Sequence, residues 1–141
     1  LLQKDAKSLY SNVGADPEIF QWMTFAGPTS LEDYEKLTAR LIKESETDFR
    51  KSFAVVLKES NQVIGHTSFM DYQVRNKSIE IGTTFYGKKY WRSFVNTECK
   101  LLLLTNAFEA QKLHRVTLKT DGKNERSKSA ITYFYINIMK K

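Results

Sequence analysis

The amino-acid sequence predicts an α/β fold, with a mixed, mainly antiparallel sheet flanked by helices on both faces. Three observations carry that prediction. Apolar residues recur at helical spacing up to Glu46; they alternate at a period of two in three successive segments after Asp48; and a long apolar helix over Val95–Ala110 then leads to a short fourth strand. Strands in meander order followed by a strand–helix–strand crossover make one sheet of mixed direction, covered by helices on both sides.

Taken in order, Leu1, Leu2, Ala6, Leu9, Tyr10 and Val13 have helical spacing, and Gly14 supplies the stop. Asp16-Pro17 reads as the N-cap and first-turn proline of a short helix reaching Trp22, broken by Gly27-Pro28. Thr29 and Glu32 have capping-box spacing, and Leu31, Tyr34, Leu37, Leu41 and Ile42 form the apolar stripe of a helix ending near Glu46. Phe53, Val55 and Leu57 then alternate with Ser52, Ala54, Val56 and Lys58, and Glu59-Ser60-Asn61-Gln62 turns the chain into a second strand, Val63–Tyr72. A third strand follows Asn76-Lys77, with Ile79 and Ile81 on one face and Glu80, Gly82 and Thr84 on the other.

In the long helix, Cys99, Leu102, Leu103, Ala107 and Ala110 are expected to share a face. Arg115–Thr120 reads as a strand with Val116 and Leu118 inward, Asp121-Gly122 as a turn, and Asn124 as the start of a last helical segment. In the tail, Tyr133, Tyr135 and Asn137 alternate with Phe134, Ile136 and Ile138, which is strand period. An apolar terminal strand needs a partner edge, so a homodimer or a swapped strand through the C-terminal segment is expected.

At 141 residues the chain is expected to be a single domain over 1–141. Its 41% hydrophobic and 27% charged residues exclude a disordered or fibrous chain. The lone Cys99, read as a small core residue, and two distant histidines, His66 and His114, argue against a disulfide framework, a zinc site or a Ser-His-Asp arrangement, so the expected mechanism uses no metal. Without an apolar run of ~18 residues or a signal-peptide pattern, no membrane partner is expected and the location is read as cytoplasmic. The net charge of +6 favours an anionic ligand without choosing among nucleotide, nucleic acid and acidic protein surface.

The segment Ser78–Lys100 is the most telling. A strand carrying Glu80 runs into a basic-aromatic turn with Lys88, Lys89 and Arg92 and then opens a helix, which puts unpaired N–H groups and the positive end of a helix dipole at one point. That arrangement suits a phosphate beside a carboxylate. A solvated basic loop is the plainer reading of the same charges.

The order of elements, with IEIG at Ile79–Gly82, YWRSFVNTE at Tyr90–Glu98, AFE at Ala107–Glu109, HRVTLKTD at His114–Asp121 and NERSKSA at Asn124–Ala130, resembles the GNAT acetyltransferases. Within them it resembles the branch that acetylates the N-terminal amines of ribosomal proteins. The resemblance implies acetyl transfer from acetyl-coenzyme A (acetyl-CoA) to a primary amine by direct attack. It also implies that the chain lacks the first strand and the last two strands of the family pattern. Where the family has the turn Gln/Arg-x-x-Gly-x-Gly/Ala, this chain has Trp91-Arg92-Ser93-Phe94-Val95-Asn96, without either glycine.

On that resemblance the cofactor-binding residues are Ile81, Gly82 and Thr83 at the thioester, the turn and helix start Arg92, Ser93, Phe94, Val95, Asn96 and Thr97, and Asn124 and Ser127 along the pantetheine arm. Glu80 is implied as general base, because an amine nucleophile must lose a proton before it attacks. Ser127 is implied beside the thioester sulfur. A strand glutamate paired with a lysine is the alternative for Glu80, and a helix N-cap the alternative for Asn124. Tyr133 and Tyr135 are candidates to protonate the leaving thiolate, although the sequence around them departs from the family. Two other functions are weighed: an inactive remnant that still binds coenzyme A (CoA), and nucleic-acid binding by the 22 Lys+Arg and the 2 Trp, 7 Tyr and 9 Phe. The absence of an RNP-like or helix-turn-helix signature argues against the last.

Overall fold

Helix formation starts where the local chemistry offers a cap. The computed structural model describes residues 1–137. Its elements run α1 (Asp5–Val13), α2 (Pro17–Phe20), α3 (Leu31–Ser45), β1 (Arg50–Leu57), β2 (Gln62–Gln73), β3 (Ser78–Tyr86), α4 (Phe94–Thr105), β4 (Arg115–Leu118) and α5 (Glu125–Asn137), with a 3₁₀ turn at Lys88–Tyr90 and a π-helical end to α4 at Asn106–Ala110. Asp16 caps α2 by accepting from the Glu18 N–H at 2.9 Å. The capping box of α3 is Ser30 with Asp33, one residue beyond the expected pair: Ser30 Oγ accepts from Asp33 N and Asp33 Oδ2 from Ser30 N, both at 3.1 Å. Asp33 also accepts from the Thr29 N–H and hydroxyl, so Thr29 supports the box from outside the helix.

The sheet has the order β1-β2-β3-β4, antiparallel except for the parallel pair β3–β4. Helices cover both faces. On one, Leu9 and Val13 of α1, Ile19 and Phe20 of α2, and Tyr34, Leu37 and Leu41 of α3 bury Val63 and Phe85. On the other, Leu103, Leu104 and Ala107 pack on Phe69, Ile79 and Ile81, while Val95 packs with Val55, Ile64 and Tyr86. The mixed, mainly antiparallel sheet between helices is therefore the architecture expected from the sequence.

Register places a β-bulge in β3. Ser68 pairs with Gly82 but His66 with Phe85, so Thr67 faces two residues, Thr83 and Thr84, and Thr83 takes φ +49°. Thr83 is the supernumerary residue. Glu80 and Gly82 precede it on the α1/α3 face, opposite Ile79 and Ile81; after it Thr84 and Tyr86 take the α4 face, and Phe85 the α1/α3 face.

Besides the capping box, other expectations are corrected. The second helix ends at Phe20 rather than Trp22. In α4 the buried residues are Val95, Lys100, Leu103 and Leu104, while Leu102 is 64% exposed, so the inward stripe is shifted from the one the sequence suggests. The unbroken run Leu101–Leu104 leaves the helix phase undetermined, and packing against Ile79 and Ile81 sets it. The fourth strand ends at Leu118 rather than Thr120. Tyr133–Asn137 continue α5 rather than form a strand: Asn124 caps the helix, and Phe134 is buried where the next turns meet the core. Residues 138–141, including Ile138, lie outside the described residues.

Candidate functional site

β3 and β4 part company early. Their last parallel partners are Ile81 and Leu118; β4 stops there while β3 runs on through the bulge to Tyr86. Divergence at the carboxyl ends of parallel strands leaves a crevice of the kind in which open α/β sheets bind ligands. Here it is a cleft of about 780 Å³ walled by α4 on one side and α5 on the other, with Trp22 and Met23 at its edge.

The turn that opens α4 is shaped locally. Lys88–Tyr90 forms one 3₁₀ turn, Arg92 takes φ +58°, and Ser93 caps the helix, donating to Tyr90 O at 2.6 Å and accepting from Val95 N at 3.3 Å. The remaining N–H groups of the first turn point out of the helix end. Trp91 is fixed by a bond from its indole N–H to Tyr86 O (3.1 Å), and Arg126 at the start of α5 lies over its ring, 3.4 Å from the centroid. This stacking ties the two walls together. Partial burial lowers the Arg126 pKa, yet the guanidinium stays charged at any ordinary pH.

The basic cluster expected around the turn is only partly available. Lys88 is held by Asp16 at 2.8 Å and by Glu18, and Lys89 leans on Asn12. Among the described residues nothing pairs with Arg92, which is exposed at the cleft. Arg92 and Arg126 are thus the cations that the turn and the start of α5 offer to a ligand.

Of the residues singled out from sequence, Ile81, Gly82, Thr83, Arg92, Ser93, Asn96, Thr97, Asn124 and Ser127 line the cleft. Val95 is buried beneath it, and the Phe94 side chain turns outward, 65% exposed. That explains why a bulky residue is tolerated where glycine was expected: only its backbone faces the turn. Asn124 caps α5, its Oδ1 accepting from Ser127 N at 3.1 Å, and still borders the cleft. Glu80 is not part of the lining. It is 8% exposed, and its Oε2 lies 2.5 Å from Nζ of Lys119, whose pKa this contact raises.

Sequence reasoning missed the groups behind and beneath the bulge. Arg50 Nη1 donates to Thr83 Oγ1 at 2.7 Å and to Ser68 Oγ at 2.9 Å, and its Nε lies 2.7 Å from Glu44 Oε2. His66, fully buried and stacked on Phe85, binds Thr83 O through Nδ1 at 2.8 Å; burial pulls its pKa down to about 4, so the ring is neutral and Nδ1–H is the donor. Positive φ is unusual for a β-branched residue, and this network holds Thr83 there. On the cleft side Lys100 Nζ donates to Thr84 Oγ1 at 2.9 Å. Lys100 had a readable signal: it continues the cleft-facing stripe of α4 from Ser93 and Asn96.

Comparison with known proteins agrees with this geometry. A family model described as an acetyltransferase (GNAT) domain matches residues 1–133. The chain is similar to the uncharacterized N-acetyltransferase p20 of Bacillus licheniformis, 24% identical over 113 residues, which are 80% of this chain and 63% of that protein. A GCN5-related N-acetyltransferase from Brucella melitensis superposes with a TM-score of 0.83 at 26% identity, over 94% of this chain and 59% of that one. The ribosomal-protein-S5-alanine acetyltransferase from Vibrio fischeri shares the fold, with a TM-score of 0.72 at 17% identity over 94% of this chain and 74% of that one. The chain thus spans about three-fifths of the length of the first two. No helix among the described residues is long and apolar enough to cross a membrane.

Proposed function

We propose, from the premise that the chain belongs to the GNAT acetyltransferase family, that it moves an acetyl group from acetyl-CoA to a primary amine, on a protein N-terminus or a small molecule. Acetyl-CoA is the family's co-substrate. The observation that carries the reading to this chain is the meeting, in one cleft, of a helix N-terminus with the parted ends of β3 and β4. The N–H groups of the Ser93 turn, with Arg92 and Arg126, suit a pyrophosphate. Asn124 and Ser127 suit the arm that follows, and the edge of β3 that opens just past Ile81, at Gly82 and Thr83, offers backbone donors to a thioester carbonyl.

The acceptor amine attacks the carbonyl carbon, its N–C bond forms, the C–S bond breaks, and the CoA thiolate leaves and takes a proton. The attacking ammonium must first lose one. Glu80 is the proposed acceptor of that proton: a Cβ placed on Gly82, the first residue of β3 past its pairing with β4, would lie 3.3 Å from Glu80 Oε1. An incoming ammonium would there replace that of Lys119, whose side chain is 67% exposed.

A thermal-shift titration with acetyl-CoA tests the first half. Site-specific binding at a hundredfold excess over Kd stabilises by about 2.7 kcal/mol; no shift overturns the reading. A thiol-release assay across peptide and small amines tests the second. Glu80→Gln is expected to lower kcat about a hundredfold with acetyl-CoA affinity kept. Unchanged kcat would leave Glu80 as the partner of Lys119 alone.

A further inference from the structure

Lys100 is a charged cleft residue to which the roles above give no task. It sits seven residues beyond Ser93 on the cleft-facing stripe of α4, roughly 10 Å along the helix axis. It is 7% exposed, and of its three ammonium donors only the one to Thr84 Oγ1 meets an acceptor among the described residues. Thr84 is in turn bonded to Thr67 at 2.8 Å. Among the described residues no carboxylate answers the charge. Around the cleft β3 presents Tyr86, the turn Tyr90 and Arg92, the end of β4 Lys119, and α5 Glu125, Arg126 and Tyr133; the one carboxylate of this set, Glu125, pairs with Lys128, and on its own helix the nearest titratable group is Cys99. Burial draws the amine down to about 8. An ammonium with a single neutral partner is costly to bury, so the cleft is built one acceptor short.

We propose that Lys100 binds a carbonyl oxygen of the acyl-CoA arm through its ammonium. The proposal rests on the acetyl-CoA reading: with a pyrophosphate at the start of α4, the two amide carbonyls and then the thioester carbonyl follow along one extended arm, over the stretch of cleft that Lys100 underlies. A bound acceptor favours the charged amine. Ligand binding near pH 8 therefore draws a proton onto Lys100.

Isothermal titration with acetyl-CoA and with free CoA, at pH 8 in two buffers of different ionisation enthalpy, reads both effects. The protein is expected to take up about half a proton on binding. Lys100→Met is expected to abolish the uptake and weaken binding about tenfold. Weaker binding of both ligands identifies an amide carbonyl, and weaker binding of acetyl-CoA alone the thioester. Since this substitution removes a buried charge, it is expected to melt no lower than the parent. Lys100→Gln, which keeps a neutral donor, is expected to bind without proton uptake. Undiminished affinity in both variants, or Lys100→Met melting well below the parent with affinity kept, overturns the proposal and leaves the acetyl-CoA reading standing. Failure of the parent to bind either ligand overturns both.

Discussion

Two buried cations flank the bulge of β3, and they are treated in opposite ways. Arg50, on the α1/α3 face, has an anion in Glu44 and two hydroxyls, Ser68 and Thr83. Lys100, on the α4 face, has one hydroxyl and no anion among the described residues. Both are under one-tenth exposed, so burial does not separate them. What differs is the kind of partner. A cation paired with an anion inside the fold holds a shape, whereas one with a single neutral partner faces the space where something else must supply the acceptor.

The most direct test of this contrast is Arg50→Met. It takes the close cation from Glu44, leaving Arg40 at 3.8 Å, and removes a bond that fixes Thr83, and is expected to lower unfolding free energy by about 2 kcal/mol in urea denaturation. Lys100→Met should leave stability equal or higher. If the two substitutions shift stability alike, the distinction fails.

Acid sharpens it next. His66, the other holder of Thr83, is kept neutral down to about pH 4 by burial, with the nearby Arg50 charge adding to that effect. The unfolded chain protonates this ring at its ordinary 6.5, so between pH 6.5 and 4 the unfolded state carries a proton that the folded state refuses. Stability must therefore fall as pH falls, by about 2–3 kcal/mol across that window. Asp16 and Asp33, whose pKa values hydrogen bonds lower from 3.8, act below it. His66→Gln should flatten the pH 4–6.5 limb in denaturation measured along a pH series.

Thr84→Val gives the smallest effect. It takes away the only described partner of Lys100 and is expected to cost about 1 kcal/mol, with a further fall in the Lys100 pKa visible in the pH dependence of ligand binding. No change in either would mean that the Lys100–Thr84 bond contributes nothing.

The element order was legible because period is written locally: Asp48 ends helical spacing, and Phe53, Val55 and Leu57 begin strand spacing. The turn at Arg92–Asn96 and the cap at Asn124 were legible for the same reason, their chemistry lying within a few residues. Phase and partnership were not. Nothing in Leu101–Leu104 says which leucine faces inward, and the tail's alternation spans too few residues to outweigh a capped helix. Arg50, His66, Ser68 and Thr83 come from three strands, so their meeting depends on register. The bulge itself has no glycine to announce it, since Thr83 is held by its neighbours rather than by its own preference. Alternation correctly put Glu80 opposite the isoleucines, but its contact with Lys119 depends on how β4 ends.

The supernumerary Thr83 makes the cleft a matter of counting. Upstream of it even-numbered residues face α1 and α3; downstream they face α4. Straightening the strand in place would turn the Phe85 ring toward the ligand and the Thr84 hydroxyl away from Lys100, with no change of composition. Removing Thr83 altogether would keep every other side chain on its present face. A shortened strand should thus resemble the parent more closely than a regularised one of full length, and homologous chains can preserve this cleft through the spacing between Gly82 and Tyr86 even where the residues between them differ.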